Sequence, residues 1–367
     1  MEITTSTAIV EVTCRLRREI MKYLVKIMAL VLIFAAIILS GCNKAKKDDK
    51  SKLLLLLSGG GTFSADGVTF KMVYVPGGKT FPTGVADGAT AYVADAFWIG
   101  ETEVTYELWN KVRTWAIDAA RIPNQYTFAN DGVSGPTNQH PVTTINWRSA
   151  MVWCNALTEW YNAQRGTTYS CVYFTDFGRT TPRRSVNDTA SVGITPGDQD
   201  NPYVKADAKG FRMITKDEWE LSARWRNNAT NTVDGYTGPY FTKGNSASEA
   251  TTYHNDNTNG SGEPGKAAND LVAVYYQYWD GDSWELTGVT GTAAVKSKVN
   301  GANSLGLYDM SGNLWEWCFT TCTGTTRFIQ GGSYLNIAEY LQVGFIGCTE
   351  PYQDTPNYGF RFARSAE

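Results

Sequence analysis

Two patterned stretches near the carboxyl end, and the unpatterned one between them, constrain this chain more than any other feature. The first frame runs Gly306-Leu-Tyr-Asp309-Met-Ser-Gly312-Asn313-Leu314-Trp315-Glu316-Trp317 and resumes at Gly331-Gly332-Ser333-Tyr334; the second is Gly359-Phe360-Arg361-Phe362-Ala363-Arg364. Both are rich in glycine and aromatic residues and read as rigid. The filling, residues 334–358, mixes Leu, Asn, Ile, Glu, Tyr, Phe, Cys, Gln and Asp with neither a helical nor a strand period. A patterned frame around an unpatterned filling is how a binding loop sits on a scaffold. Function is expected there, and the upstream chain is expected to support it.

The 367 residues suffice for one large domain or two ordinary ones, and 43% apolar content with 13% aromatics supports a full core rather than disorder. The formal charge is −3. A mildly acidic chain whose body carries no basic run is not expected to bind nucleic acid.

Met21 begins a complete export signal. Lys22 and Lys26 form its positive region, residues 27–39 its apolar region, and Leu39-Ser40-Gly41-Cys42 its processing site. The apolar run, about 13 residues, falls short of the roughly 18 to 20 that a membrane span needs. Leu-Ser-Gly-Cys resembles the bacterial lipoprotein cleavage and acylation site. That resemblance implies a lipid such as palmitate on Cys42, anchorage to a membrane of the bacterial cell envelope, and exposure at the outer surface. Residues 1–41 are then the signal region, with Met21 the expected start. Residues 42–67 read as a polar tether. Within it, residues 53–57 are either a short buried strand or a membrane-hugging segment, and Gly59-Gly60-Gly61 reads as a flexible joint. The folded domain is expected over 68–367.

Residues 70–78 read as a strand ending in a turn, and 96–100 as a second strand. Thr105 is placed to cap a helix with Leu108, Trp109, Val112, Trp115 and Ala116 at helical spacing. An extended His140-Pro141-Val142-Thr143-Thr144-Ile145 leads to Asn146, cap of a second helix with Trp147, Ala150, Met151, Cys154, Leu157 and Tyr161 on a core face. Thr215 and Glu218 form a capping box for a third, running through Trp219, Leu221 and Arg224. Residues 163–209 and 227–300 read mostly as loops, with one strand over 272–279. No repeat of fixed period is visible. The expectation is a single α+β domain with short strands, two or three helices and much irregular structure.

Candidate chemistry is sparse. His140 and His254 are the only histidines and neither sits in a nucleophile motif, so no His-based triad is expected; His140, before proline, reads as a turn residue. Besides Cys42 the mature chain carries Cys154, Cys171, Cys318, Cys322 and Cys348, an odd set that precludes full pairing. Cys318-x-x-x-Cys322 is spaced for a local bridge and lacks a second ligand pair for zinc. Cys154 reads as buried and free. Asp309 and Glu316 flank Gly312-Asn313 and would converge on a hard cation if the loop curls; in the other reading Asp309 caps a turn and Glu316 pairs with an arginine.

In order, Glu103-Val104-Thr105, His140-Pro141-Val142 with Asn146-Trp147, Phe211-Arg212 with Glu218-Trp219-Glu220 and Ala223-Arg224, the 306–317 run, Gly331-Gly332-Ser333-Tyr334 and Gly359-Phe360-Arg361 resemble the formylglycine-generating-enzyme, or sulfatase-modifying-factor, family. The resemblance implies a C-type-lectin-like fold. It also implies a structural calcium held by the side chains of Asp309 and Glu316 and the carbonyls of Gly312 and Leu314. The family's enzymes activate oxygen with two cysteines just after Gly-Gly-Ser-Trp/Tyr; those positions are Asn336 and Leu341 here, and neither can supply a thiolate. Met213-Ile214-Thr215-Lys216 also departs from the family's Leu-Pro-Thr-Glu.

The closing Gly359-Phe-Arg-Phe-Ala-Arg364 frame is similar to that of variable proteins of diversity-generating retroelements, whose lectin-like domain ends in a segment diversified at adenine-containing codons. This implies a surface ligand-binding protein and no enzyme, with no catalytic cofactor and an unknown macromolecular partner, a protein in preference to carbohydrate. The expected binding residues are Leu335, Asn336, Ile337, Glu339, Tyr340, Phe345, Ile346, Cys348, Thr349, Glu350, Tyr352, Gln353, Asp354, Asn357 and Tyr358. Leu341, Val343 and Gly344 are expected to pack the loop. The alternatives are a formylglycine-generating-type oxidase or sulfatase maturation factor, and a structural envelope lipoprotein without a diversified site.

Overall fold

The computed structural model describes residues 61–226, 241–248 and 263–366. Cys42, the signal region and residues 53–57 lie outside them. Alternating apolar residues build the first strands: β1 (Gly61–Ala65) and β2 (Val68–Val75) form a hairpin across Asp66-Gly67, both at positive φ. Folded chain therefore begins upstream of residue 68. β3 (Lys79–Thr83) pairs with β4 (Ala89–Val93), and β5 (Phe97–Gly100) returns beside β2.

Thr105 caps α1 (Tyr106–Ala116) by accepting the Leu108 N–H at 3.3 Å. Asn146 caps α2 (Trp147–Arg165) through Ser149 N–H at 2.8 Å, and Gly166, at φ 65°, ends it. Between Trp147 and Tyr161 only Glu159 escapes burial, so α2 is the pillar of the core. Trp153 stacks on Trp109 of α1 at 5.7 Å, and Phe360 meets the two rings edge-on at 5.4 and 6.0 Å. Here the second frame locks onto the first two helices.

Short strands β6 (Tyr173–Phe174), β7 (Tyr203–Val204) and β8 (Phe211–Met213) precede α3 (Lys216–Arg224), which opens on the Thr215–Glu218 capping box. A fourth helix, α4 (Glu263–Val272), then follows, one more than expected among the described residues. It takes Val272 from the strand expected over 272–279, leaving β9 (Gln277–Trp279), which pairs with β10 (Trp284–Leu286). The reason is tertiary: Ala268, Val272, Ala273 and Tyr275 bury against Ala338 and Leu341, and that burial outweighs the strand preference of the valines and tyrosines.

The carboxyl-terminal part of the chain forms β11 (Trp315–Thr321), β12 (Arg327–Gln330), β14 (Tyr358–Gly359) and β15 (Phe362–Ser365), with β13 (Ile346–Thr349) inside the filling. One sheet runs β1-β2-β5-β15-β8 and the other β13-β12-β11-β14, with β14 parallel to β11. The chain end enters the interior of the five-stranded sheet between β5 and β8, which pins the filling at its far side. The sheets and helices are stitched by reciprocal indole bonds: Trp147 donates to the Cys318 carbonyl and Trp317 to that of Ile145, both at 3.0 Å.

The expected Cys318–Cys322 bridge is not formed. Cys322 pairs with Cys348, Cα–Cα 6.1 Å, while Cys318 is buried and its Sγ meets Gln330 Oε1 at 3.3 Å. The chain from Trp315 to Thr321 is extended, so the four residues from Cys318 to Cys322 span roughly 13 Å, about twice the Cα–Cα reach of a disulfide. Cys154 is buried and free as expected, and so is Cys171.

Candidate recognition surface

The 306–317 loop curls because Asp309, Gly312 and Asn313 all take positive φ (56°, 80° and 65°). The curl delivers Glu316, wholly buried, to Arg361: Oε1 and Oε2 each accept a guanidinium N–H at 2.6 Å, and Trp219 Nε1 donates to Oε2 at 2.8 Å. Arg361 spends its other N–H groups on the carbonyls of Gly100, Glu101, Tyr308 and Asp309. Glu316 thus pairs with an arginine. Asp309 accepts the Lys296 backbone N–H at 2.8 Å.

Glu103, to which the sequence had assigned no role, is the third buried carboxylate. It accepts Asn313 Nδ2 at 2.7 Å and Leu314 N–H at 3.0 Å, fastening the loop to the chain before α1. Burial, then the charges of Asp309 and Glu316, push Glu103 well above the usual carboxylate range; burial raises Asp309 to about 6. Three carboxyl groups thus crowd one guanidinium, and the upward shift of Glu103 favours its neutral form. Among the described residues no three Asp, Glu, His or Cys side chains are arranged round one ion. Asp309, Glu316 and the Gly312 and Leu314 carbonyls are oxygen donors of the kind a hard cation takes, and such an ion would have to share Glu316 with Arg361 and Trp219.

Beyond the loop, Gly331 and Gly332 take positive φ (97° and 72°), and Tyr334 N–H returns to the Asn313 carbonyl at 2.9 Å. The filling then alternates between floor and display. Ala338, Leu341, Gln342, Val343, Gly344 and Pro351 are buried. Val343 and Gly344 donate their N–H groups to the carbonyls of Ser246 and Gly244 at 2.9 Å each. A Cβ on Gly344 would lie 2.3 Å from the Gly84 carbonyl carbon, so glycine is required there.

None of the fifteen expected binding residues is buried. Leu335 and Ile346 are the most open large hydrophobics among the fifteen, at 48% and 41% exposure. Tyr340 and Phe345 are half-buried, rings 4.8 Å apart, and both lean on Trp315; Tyr358 leans on Trp317 at 5.2 Å. Glu350 accepts the Thr325 hydroxyl at 3.0 Å, and Asp354 accepts Asn130 Nδ2 at 2.8 Å. Tyr352 lies 5.9 Å from the buried Arg148 guanidinium, which Asp200 holds by two bonds. Cys348 is exposed but committed to its disulfide, so it acts as a clamp and not as a free contact.

At the two positions where the resemblance would place thiols, Asn336 accepts the Ser333 hydroxyl at 2.6 Å and Leu341 is wholly buried. Among the described residues the free thiols of Cys154, Cys171 and Cys318 are all buried, and burial raises each of them. His140 forms a turn through Thr137, with Nδ1 3.0 Å from the Thr292 hydroxyl.

The model of the sulfatase-modifying factor enzyme 1-like domain matches residues 62–366. The chain belongs to that family. Chaperone protein LppX of Paenibacillus barcinonensis is 26% identical over 325 residues, covering 84% of this chain and 92% of that protein. The formylglycine-generating enzyme of Thermomonospora curvata is 32% identical over 99 residues, covering 21% of this chain and 32% of the enzyme. Among solved structures, Treponema denticola variable protein 1 is similar at TM-score 0.56 and 24% identity, covering 84% of this chain and 99% of that one. CarF is similar at TM-score 0.53 and 24% identity, covering 81% and 99%. The α+β fold expected of the family is the fold observed, with the lectin-like scaffold shared by a variable protein.

Proposed function

We propose that this protein binds rather than catalyses. Its lectin-like scaffold, tethered to the cell envelope by lipid on Cys42, displays residues 334–358 as a recognition surface that a retroelement diversifies. The partner is a macromolecule, a protein in preference to carbohydrate. One observation carries the reading: the segment is pinned by buried residues along its length, while all fifteen binding positions remain accessible. Most side chains there can be exchanged without disturbing the core; Cys348, held in its disulfide, and Tyr340, Phe345 and Tyr358, which lean on core tryptophans, are the more constrained positions. Tyrosine and phenylalanine supply contact area at low entropy cost. The likeness in fold to a variable protein supports the reading. The name of the Paenibacillus relative, a chaperone, also favours binding over turnover.

The neighbouring DNA tests this. It should hold a reverse-transcriptase gene and a near-copy of the 3′ end of this gene differing mainly at adenines. Isolates that are invariant across 334–358, with no such element nearby, would overturn diversification. The oxidase alternative has its own assay: with thiol, oxygen and a sulfatase-motif peptide, no formylglycine should form, and turnover would remove the binding-only reading. For the anchor, radiolabelled palmitate should enter the protein and Cys42→Ala should abolish that labelling; equal labelling of the variant would move the lipid elsewhere. Among the described residues no helix is long and apolar enough to cross a membrane.

Calcium belongs to the proposal as a structural ion at Asp309, Glu316 and the carbonyls of Gly312 and Leu314. When bound it would supply positive charge to the carboxyl-rich cluster and brace the loop beneath the display segment. At a hundredfold excess over its dissociation constant it should stabilise the protein by about 2.7 kcal/mol, read as a rise in Tm after chelation and readdition. Asp309→Ala, which removes the oxygen donor, should abolish the rise. A rise of the same size in that variant would exclude this site.

A further inference from the structure

We infer that the β9–β10 hairpin is a constant half of the recognition surface, and that hairpin and display segment together take an apolar protein segment flanked by basic residues. This rests on reading residues 334–358 as the display segment. The hairpin reaches that segment through backbone: Tyr276 N–H donates to the Asn336 carbonyl at 2.8 Å, and Gln277 bridges to Ile337 in parallel. Backbone groups do not change when side chains are exchanged, so the hairpin keeps its seat whatever residues occupy 335–337.

The register sorts its side chains. Trp279 lies opposite Trp284, and Gln277 opposite Leu286, so Trp279, Trp284 and Leu286 share one face. Tyr278 takes the other face and packs on the small core formed with α4. The two tryptophan rings meet edge-on at 5.5 Å. Trp284 and Leu286 are 40% and 59% exposed, and Leu335 of the adjoining segment 48%. Single exposed hydrophobics are ordinary, but a stripe of them across two adjoining elements marks an interaction site.

Charge selects the partner. The turn of the hairpin carries exposed Asp280 and Asp282, Glu285 lies opposite Tyr278 on the other face, and no Lys or Arg lies between Lys266 and Lys296 or between Arg327 and Arg361. Lys266 is turned to the opposite face, 4.7 Å from the Tyr278 ring and paired with Asp270. An apolar stripe with an acidic rim complements an apolar segment bearing Lys or Arg, and repels an acidic one.

Titration calorimetry on the full chain tests this with three probes: a short peptide alternating leucine and arginine, its leucine–glutamate counterpart, and a chitin oligosaccharide. Only the arginine peptide should bind, more weakly at high salt. Trp279→Ala and Trp284→Ala should each weaken it about tenfold or more. Trp284→Tyr should retain most of the affinity, and an unchanged Tm in each variant separates loss of contact from loss of fold. Binding of the glutamate peptide or the sugar with equal affinity, or no binding at all, would overturn the inference. Loss with Leu335→Ala and Ile346→Ala but not with the tryptophan variants would sink the hairpin's role and leave the display segment standing. Loss with the tryptophan variants alone would remove the display segment from the site and with it the composite surface.

Discussion

Arg361→Met is expected to cost about 3–5 kcal/mol, among the most damaging single substitutions available in the domain. Arg361 is wholly buried, holds Glu316 by two bonds and faces a cluster that also contains Glu103 and Asp309. Removing the guanidinium leaves the buried carboxyl groups of Glu103, Asp309 and Glu316 without the cation they crowd and frees several backbone carbonyls of their donor. Urea unfolding followed by tryptophan fluorescence should show the loss as a lower midpoint. The double variant Arg361→Met with Glu316→Gln should recover part of it, because the uncompensated charge is removed together with its partner. A single variant within about 1 kcal/mol of the parent would mean that Arg361 is not what neutralises the cluster.

Removing the disulfide with Cys322→Ala and Cys348→Ala should cost about 3–4 kcal/mol, since the bond closes a loop spanning 26 residues. The loss should be local in its first effects. Cys348 lies in β13, at the outer edge of its sheet, and the bond ties that strand to the turn between β11 and β12. Hydrogen exchange should therefore quicken over 346–349 while α2, buried along most of its length, stays protected. Unchanged exchange in β13 would show that its pairing with β12 alone holds the display strand in place.

Local signals carried much of this architecture. Thr105, Asn146 and the Thr215–Glu218 box announce their helices because capping is settled within a few residues of backbone. The tryptophan stripe on α2 lies in the core for the same reason of periodicity. The strand expected over 272–279 shortens to 277–279 because Val272 and Tyr275 bury against Ala338 and Leu341 instead. The local bridge within Cys318-x-x-x-Cys322 fails because the segment is drawn out as a strand, which carries its two cysteines out of disulfide reach.

The amino-acid sequence by itself determined the frame, the unpatterned filling and the absence of cysteine at 336 and 341, since these are matters of residue identity and short-range period. Only the tertiary structure decided that Glu103 joins Asp309 and Glu316 around Arg361, that Cys348 reaches Cys322, and that the β9–β10 hairpin sits against residues 336–337. Each of these joins chain segments that approach one another only when the sheets and helices close, and the energies that select them come from burial and charge, which no local pattern records.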